Sequence, residues 1–328
     1  MILNFSDIKR FKEIYNLLVV LGPTASGKTR LAVSLARALN GEIISADSRQ
    51  IYRGLDIGTG KEISEYSGAW GSIPVHLIDI LAPDVEFSVF SFQKYFIKAF
   101  EEISLHGNFP IMAGGTGLYL DSILQGYRMA EVPEDEDLRR RLLAEDMESL
   151  RRRLMTLHPS VHNTTDLLDK RRVIRAIEIA RFEKNKGKNS SPFHAISPFV
   201  IGIHPNREEL RRRITLRLNA RIEEGLIEEV RQLHEKGLTW ERLDALGLEY
   251  RYVGLYLRGE VDYDTMVKIL NTRIHQFGKR QETWFRKMEK GGVVIHWLDN
   301  ADPETAYALI ASFAHREKRG SIHGLPSQ

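Results

Sequence analysis

Eight residues, Gly22-Pro23-Thr24-Ala25-Ser26-Gly27-Lys28-Thr29, fit the spacing G-x-x-x-x-G-K-[ST]. Such a turn gathers backbone N–H groups into a concave nest for phosphate oxygens, and the helix behind it adds its positive end. Lys28 would bring a charge to the β-side phosphate, and Thr29 a hydroxyl to Mg²⁺. What the phosphates belong to is a separate question. ATP enzymes of this class place an acid after an apolar strand. Asp79 in "IPVHLIDIL" competes for that place, but His76 interrupts the run and the strand continues past the acid. "FPIMAGGTG" ends in glycines. The acid well placed at a strand end is Asp47, in "ISADSRQIY". Neighbouring parallel strands share one crevice at their carboxyl ends. Asp47 is therefore expected beside the loop, as a base, as an acid reaching the metal through water, or as a turn cap with Ser48.

The elements that must position these groups are legible in the first third. "LLVVLG" (17–22), "EIISAD" (42–47), "VHLIDIL" (75–81) and "FPIMAGG" (109–115) read as strands, separated by helices at 28–39 and 90–106, with another entered at Thr116. Short apolar strands alternating with helices predict an α/β fold of the P-loop NTPase-like kind, a parallel sheet flanked by helices. From about residue 125 the rhythm changes to Arg/Leu-rich helical periodicity, followed by the polar loop "EKNKGKNSSP" (183–192). The reading is a core of 1–124 and 196–328 with an inserted helical domain at 125–195. "PFVIGIHP" (198–205) returns to strand, and one helix is predicted from Asn206 to Lys236. Further helices are predicted at 240–258 and 262–290, then a last strand at 292–299, a last helix at 302–316 and a disordered tail.

The net charge of +3 says little, but its distribution says more. Between Leu138 and Phe182 there are 11 Lys/Arg against 6 Asp/Glu, clustered at Arg139 to Arg141, Arg151 to Arg153, and Lys170 to Arg175. Arg211, Arg212, Arg213, Arg217 and Arg221 follow, the last three at spacing four and so on one helix face. Any one cluster suits a solvated helix face; four together point to a polyanion partner. There is no cysteine, which excludes disulfides and thiolate-bound zinc. No apolar run reaches the roughly 18 residues of a membrane helix, and the N-terminal stretch lacks a signal peptide's apolar core. A cytoplasmic protein, with no membrane partner, is expected.

Four signatures in order narrow the reading: "GPTASGKT" (22–29), "ISADSRQIYRGLDIGTGK" (44–61), "GGTGLYL" (114–120) and "GKRQETWFRK" (278–287). Over roughly residues 17–298 the chain resembles the bacterial tRNA dimethylallyltransferase (IPP transferase) family. "VHLIDI", "HPSVHN" (158–163) and "REELRRRITLRL" also fall in the family's order. The resemblance implies transfer of a dimethylallyl group from dimethylallyl diphosphate to N6 of the adenine 3′ to the anticodon (position 37) of tRNA. The phosphates in the loop are then a leaving group.

The resemblance also implies roles. Loop residues Gly22, Pro23, Thr24, Ala25, Ser26, Gly27, Lys28 and Thr29 would bind diphosphate through the amides of 24–29, joined by Arg217, with Mg²⁺ at Thr29 and Asp47 reaching it through water. Asp47 would take the N6 proton. The tRNA anticodon stem-loop would be contacted by Asp47, Ser48, Arg49, Gln50, Thr116, Arg139, Arg171, Arg172, Val173, Ile174, Arg175, Lys279, Arg280 and Gln281. Thr116 also suits the cap of the following helix. Trp284 and Tyr119 are candidate stacking platforms that equally suit the core. A target base must be turned out of its stack to reach a buried carbon. The chain departs from the family pattern at Gly60, where Gly-Thr-Ala-Lys has alanine; this should matter little. It departs again at Gly247-Leu248-Glu249, where Gly-Tyr-Arg/Lys is common. A monomer is expected. The rivals are an adenylate isopentenyltransferase acting on free AMP or ATP, and a non-prenylating ATP-binding RNA protein.

Overall fold

The structure, a computed structural model, describes residues 3–61, 63–67, 71–127, 132–157, 167–185 and 196–320. Two bodies divide the chain: Met1–Gly126 with Phe193–Gln328, and Tyr127–Pro192. In chain order the larger carries α1 (Phe5–Ile14), β1 (Leu17–Leu21), α2 (Lys28–Ala38), β2 (Gly41–Ala46), β3 (Val75–His76), α3 (Val89–Leu105), β4 (Phe109–Gly114) and α4 (Gly117–Leu124). The smaller carries α5 (Glu136–Leu143), α6 (Met147–Leu157) and α7 (Lys170–Asn185). The larger resumes with β5 (Pro198–Ile203), α8 (Arg207–Glu223), α9 (Leu226–Glu235), α10 (Trp240–Leu246) and α11 (Leu248–Leu257). It ends with α12 (Tyr263–Lys290), β6 (Ile295–Leu298) and α13 (Pro303–Gly320). "HPSVHN", residues 186–192 of the polar loop and residues 321–328 lie outside the described residues.

The six strands form one parallel sheet in the order β3-β2-β4-β1-β5-β6. Side chains alternate across a strand, and β1 uses both faces. Leu18 and Val20 meet α2, α13 and Phe11 of α1; Leu17, Val19 and Leu21 meet α3, α4 and α12. All five are fully buried, which is why this strand is apolar throughout instead of alternating. A third core joins Ile51, Tyr52 and Leu55 to helices α8 to α12, through Ile214, Leu218, Val230, Tyr250 and Leu270. In the smaller body, Leu138, Leu142, Leu150, Leu154, Val173, Ile174 and Ile177 pack together.

Four local predictions are corrected. The helix read from Asn206 to Lys236 breaks after Glu223, because Gly225 turns to φ 108° before α9 begins. That left-handed value is open to glycine at little cost. The helix read at 240–258 divides into α10 and α11 at Gly247. The strand read at 75–81 keeps two residues: Leu77 and Asp79 turn to φ 64° and 54°, and the N–H groups of Ile80 and Leu81 donate to Ile51. The last strand shortens to Ile295–Leu298, because Gly291 and Gly292 close α12. The N-terminal segment forms α1, capped where Asn4 Oδ1 accepts the Asp7 N–H at 2.9 Å.

Candidate active site

Three strands end level. Gly114 of β4 pairs with Leu21 of β1 on one side and Ala46 of β2 on the other. The phosphate loop leaves β1 at Gly22, and Asp47 follows Ala46, two strand spacings or about 10 Å across the sheet. The floor between them is Gly114-Gly115. A Cβ on Gly114 would collide with the backbone of Ala46, and one on Gly115 with the Gln281 side chain. Glycine is required at 114 because the Ala46 backbone already fills the space a side chain would take.

The loop turns through left-handed Ala25 (φ 62°) and Gly27 (φ 87°) into α2. Lys28 folds back over it, Nζ donating to Pro23 O at 3.4 Å. The N–H of Ser26 donates to Pro23 O at 3.2 Å, and that of Thr24 to Gln281 Oε1 at 2.8 Å. Two of the six amides expected to hold phosphate are therefore engaged within the protein. The first-turn amides of α2 have no carbonyl one turn back, as at any helix start, and point out of its positive end. The Ser26 hydroxyl is buried without a hydrogen-bond partner, a polar atom awaiting one. Thr29 is half-buried in the first turn of α2.

Asp47 is half-buried and its Oδ1 accepts the N–H of Arg49 at 3.0 Å, which fixes the carboxylate on its own turn. Thr116 stands at the N-cap of α4 but makes no cap hydrogen bond. Its Oγ1 instead accepts the Ser48 N–H at 3.0 Å, and its own N–H donates to Ala46 O at 3.1 Å. The expected cap is thus replaced by a clasp between the β4 end and the Asp47 turn. Gln50 donates to Gly60 O at 3.3 Å.

A loop at residues 55–61 closes the other side, held in part by Glu229 and Tyr250, to which the sequence analysis gives no part. Glu229 of α9 accepts the N–H groups of Asp56 (2.9 Å), Ile57 (2.7 Å) and Gly58 (3.0 Å), and the Tyr250 hydroxyl at 2.9 Å. Burial raises the Tyr250 hydroxyl well above its usual pKa, and the Glu229 charge adds to this. The buried Lys61 ammonium donates to Tyr52 O and pairs with Asp56 (both 2.8 Å) and with Asp79. Asp79, the competing metal acid of the sequence reading, is thereby used as a lock. Arg217 Nη2 donates to Gly60 O at 3.4 Å. Arg221, one turn on, contacts Gly58 O and Glu249, both at 3.3 Å. Both guanidinium groups face the Cα of Gly60: a Cβ there would meet the ends of the Arg221 and Arg217 side chains, which would have to shift. Gly60 also has φ 62°. No polar signal along α9 marks Glu229; its role exists only once residues 171 to 173 positions away in the chain are folded beside it.

The expected RNA contacts separate into exposed and enclosed groups. Lys279 and Arg280 are exposed on α12. Gln281 is 5% exposed, and its Nε2 donates to Gly115 O at 2.8 Å, so it ties the phosphate loop to the glycine floor. Tyr119 is buried and stacked on Phe92 at 4.1 Å, a core residue. Trp284 lies against Gly117, with Lys287 4.4 Å above its ring. In the smaller body Val173 and Ile174 are core residues, so their side chains are closed to any ligand. Arg139 makes a fork to Glu178 at 2.8 and 2.9 Å; Arg175 adds 3.1 Å to Glu178 and 2.8 Å to Val132 O. Burial works against the Glu178 charge, yet these hydrogen bonds win and hold its carboxyl below the usual range. These two arginines brace the helices, while Arg171 and Arg172 are exposed.

No group of three or more His, Cys, Asp or Glu side chains is placed to hold a metal among the described residues. The Thr29 hydroxyl stands in the first turn of α2, and the Asp47 carboxylate on the turn after β2. Hard oxygens of this kind suit Mg²⁺ when phosphate and water complete its shell.

Against this geometry, known proteins give a consistent comparison. A family model described as IPP transferase matches residues 50–288, and one described as isopentenyl transferase matches 15–68. tRNA dimethylallyltransferase 2 of Trichlorobacter lovleyi is 57% identical over 293 residues, covering 89% of this chain and 95% of that protein. tRNA dimethylallyltransferase 1 of Syntrophus aciditrophicus is 55% identical over 290 residues, covering 88% and 95%. The full-length tRNA isopentenylpyrophosphate transferase of Bacillus halodurans superposes with a TM-score of 0.66 at 32% identity, covering 94% of this chain and 100% of that one. A eukaryotic dimethylallyltransferase acting on tRNA gives a TM-score of 0.69 at 22% identity over 95% and 81%, a likeness of fold. With more than half its length matched by the family model and relatives above 50% identity along most of both chains, this chain belongs to the IPP transferase family.

Proposed function

We infer that this chain is a tRNA dimethylallyltransferase: it moves a dimethylallyl group from dimethylallyl diphosphate to N6 of the adenine 3′ to the anticodon, releasing diphosphate. The observation that carries the mechanism is the crevice itself. The phosphate loop and the Asp47 turn leave strands two spacings, about 10 Å, apart, on either side of the strand that ends at Gly114. On this reading the allyl carbon lies between them, with its leaving group held by the loop and the acceptor beside Asp47.

The N6 nitrogen forms a bond to the terminal allyl carbon while the carbon–oxygen bond breaks. The electron pair leaves with the diphosphate, and the N6 proton passes to Asp47. The exocyclic amine is a weak nucleophile because its lone pair is delocalised into the ring, so a hydrogen bond to Asp47 as the C–N bond forms is the useful assistance. Lys28, Arg217 and the helix end carry the charge that builds on the leaving oxygens. Mg²⁺ held at Thr29, with Asp47 reaching it through water, would neutralise more of that charge. The exposed Lys279, Arg280, Arg171 and Arg172 contact the stem-loop backbone, giving affinity that falls with salt and carries no sequence information. Among the described residues no helix is long and apolar enough to cross a membrane. A cytoplasmic monomer fits this reading.

The isopentenyl transferase match keeps a second reading in play, since it covers the shared loop and acid. The decisive assay supplies dimethylallyl diphosphate and Mg²⁺ with unmodified tRNA or with AMP, followed by mass analysis of each. Prenylated tRNA is the expected product; prenyl-AMP alone, or ATP turnover without prenyl transfer, overturns the reading.

A further inference from the structure

Tyr119 is 6% exposed and its ring is fixed on two sides. It stacks on Phe92 at 4.1 Å with 12° between the planes, and meets Phe87 edge-on at 6.3 Å. Packing accounts for the ring and leaves the hydroxyl without a task. An enclosed tyrosine hydroxyl ordinarily has a hydrogen-bond partner, yet among the described residues this one makes no hydrogen bond. Unlike the Ser26 hydroxyl it is not sealed from solvent, so it ends at an open surface.

The neighbours of Tyr119 identify that surface. Tyr119 is the third residue of α4, and its N–H donates to Thr116 O at 3.0 Å. The Thr116 hydroxyl in turn accepts the Ser48 N–H at 3.0 Å, in the turn that carries Asp47. Burial raises the Tyr119 pKa well above its usual value; beyond that, the groups whose charge it feels are Tyr52, Arg49 and Asp47, on and just after the same turn. At neutral pH it is therefore an uncharged O–H, able to donate. A carboxylate that accepts, beside a hydroxyl that donates, complements one pattern on a purine: an exocyclic amine with an acceptor nitrogen next to it. Adenine carries that pattern, N6 with N1 on one side and N7 on the other. Guanine has the acceptor O6 in place of the amine.

We propose that the Tyr119 hydroxyl donates to a ring nitrogen beside N6 of the target adenine while Asp47 accepts from N6, which makes Tyr119 a specificity-determining residue. The phenol makes and breaks no covalent bond; it orients the base that has been turned out of its stack. Guanine in the same place sets O6 against the Asp47 carboxylate. This rests on the inferred reaction with Asp47 as the group that meets N6, and the native protein's own activity keeps the two apart.

Tyr119→Phe removes one oxygen and keeps the ring stack. Prenyl transfer is measured for the native protein and this variant on anticodon stem-loops that carry adenine, 1-deazaadenine or 7-deazaadenine at position 37. With adenine, kcat/KM for the RNA should fall about tenfold in Tyr119→Phe, as loss of one enclosed hydrogen bond does, while donor KM stays within about twofold. The thermal midpoint should not fall, because the hydroxyl holds nothing within the fold. The native protein should lose about tenfold on one of the two analogues, and Tyr119→Phe should lose nothing further on that analogue, the non-additivity of two groups in contact. The analogue that behaves so tells N1 from N7. Native activity of Tyr119→Phe on adenine, or losses that multiply independently with both analogues, overturns the proposal. A lowered thermal midpoint or failure to fold assigns the hydroxyl to the fold and overturns it too. A native protein that leaves the adenine stem-loop unprenylated overturns the inferred function instead.

Discussion

Glu229→Gln isolates the loop at 55–61 with almost no change of shape. The native carboxylate accepts four hydrogen bonds, two at each oxygen: Asp56 and Ile57 at Oε2, Gly58 and the Tyr250 hydroxyl at Oε1. Glutamine has one accepting end. With its amide nitrogen at the Oε1 place, the buried Gly58 N–H is stranded; at the Oε2 place, those of Asp56 and Ile57 are. Asp56 is exposed and Ile57 half-exposed, so water can serve them and the second arrangement is the cheaper one. One incompletely satisfied N–H and the loss of charge from the remaining bonds give a cost of about 2 kcal/mol. That energy should be read locally. Hydrogen exchange of the amides of 56–58 should accelerate about thirtyfold, with the core of β1 unchanged. Gly60 O, which holds Arg217 and Gln50, moves with the loop, so donor KM should rise as well. Exchange at 56–58 within about threefold of native, with an unaltered donor KM, would refute the view that Glu229 organises this side of the site.

Asp47→Asn keeps an oxygen for the Arg49 N–H but cannot take a proton; kcat should fall by about 10²–10⁴ with tRNA KM little changed, and full activity in a steady-state assay would exclude Asp47 as the base. Gln281→Leu removes the link between Thr24 N–H and Gly115 O, two enclosed backbone groups each costing about 1–3 kcal/mol when unpaired. Donor KM should therefore rise more than tRNA KM; the opposite split would make Gln281 an RNA contact after all. Glu178, held below its usual pKa, stabilises the smaller body fully above the unfolded value of about 4.3, and that contribution is lost as pH falls through the lower folded value. Acidification should therefore speed hydrogen exchange across α5 to α7, while Glu178→Gln should be weaker at neutral pH by about 3–5 kcal/mol and lack that acid step.

The phosphate loop was legible in the sequence because it is local. Eight consecutive residues, the apolar strand before them and the helix after them carry the whole device, and the structure alters only which amides remain available. Asp47 was legible for a related reason: an acid at the end of one parallel strand must share the crevice of its neighbours. The arginine face of α8 survived the break at Gly225, since Arg213, Arg217 and Arg221 all lie before it. Strand 75–81 was misjudged because Leu77 and Asp79 take left-handed φ values and Ile80 and Leu81 bond to Ile51, a partner the local pattern does not reveal.

What only the tertiary structure decided is the set of contacts that hold these local pieces still. Gln281 reaches Thr24 across 257 residues, and Glu229 collects three amides more than 170 residues away. The same holds for the division of the basic residues. Arg139 and Arg140 are neighbours of one charge in the sequence, but one forks onto a carboxylate that is 1% exposed and the other is 78% exposed. Residue type and spacing determined the chemistry this chain can offer. Which polar groups remain available to a ligand was decided by burial, because a group enclosed by packing must find its partner within the fold.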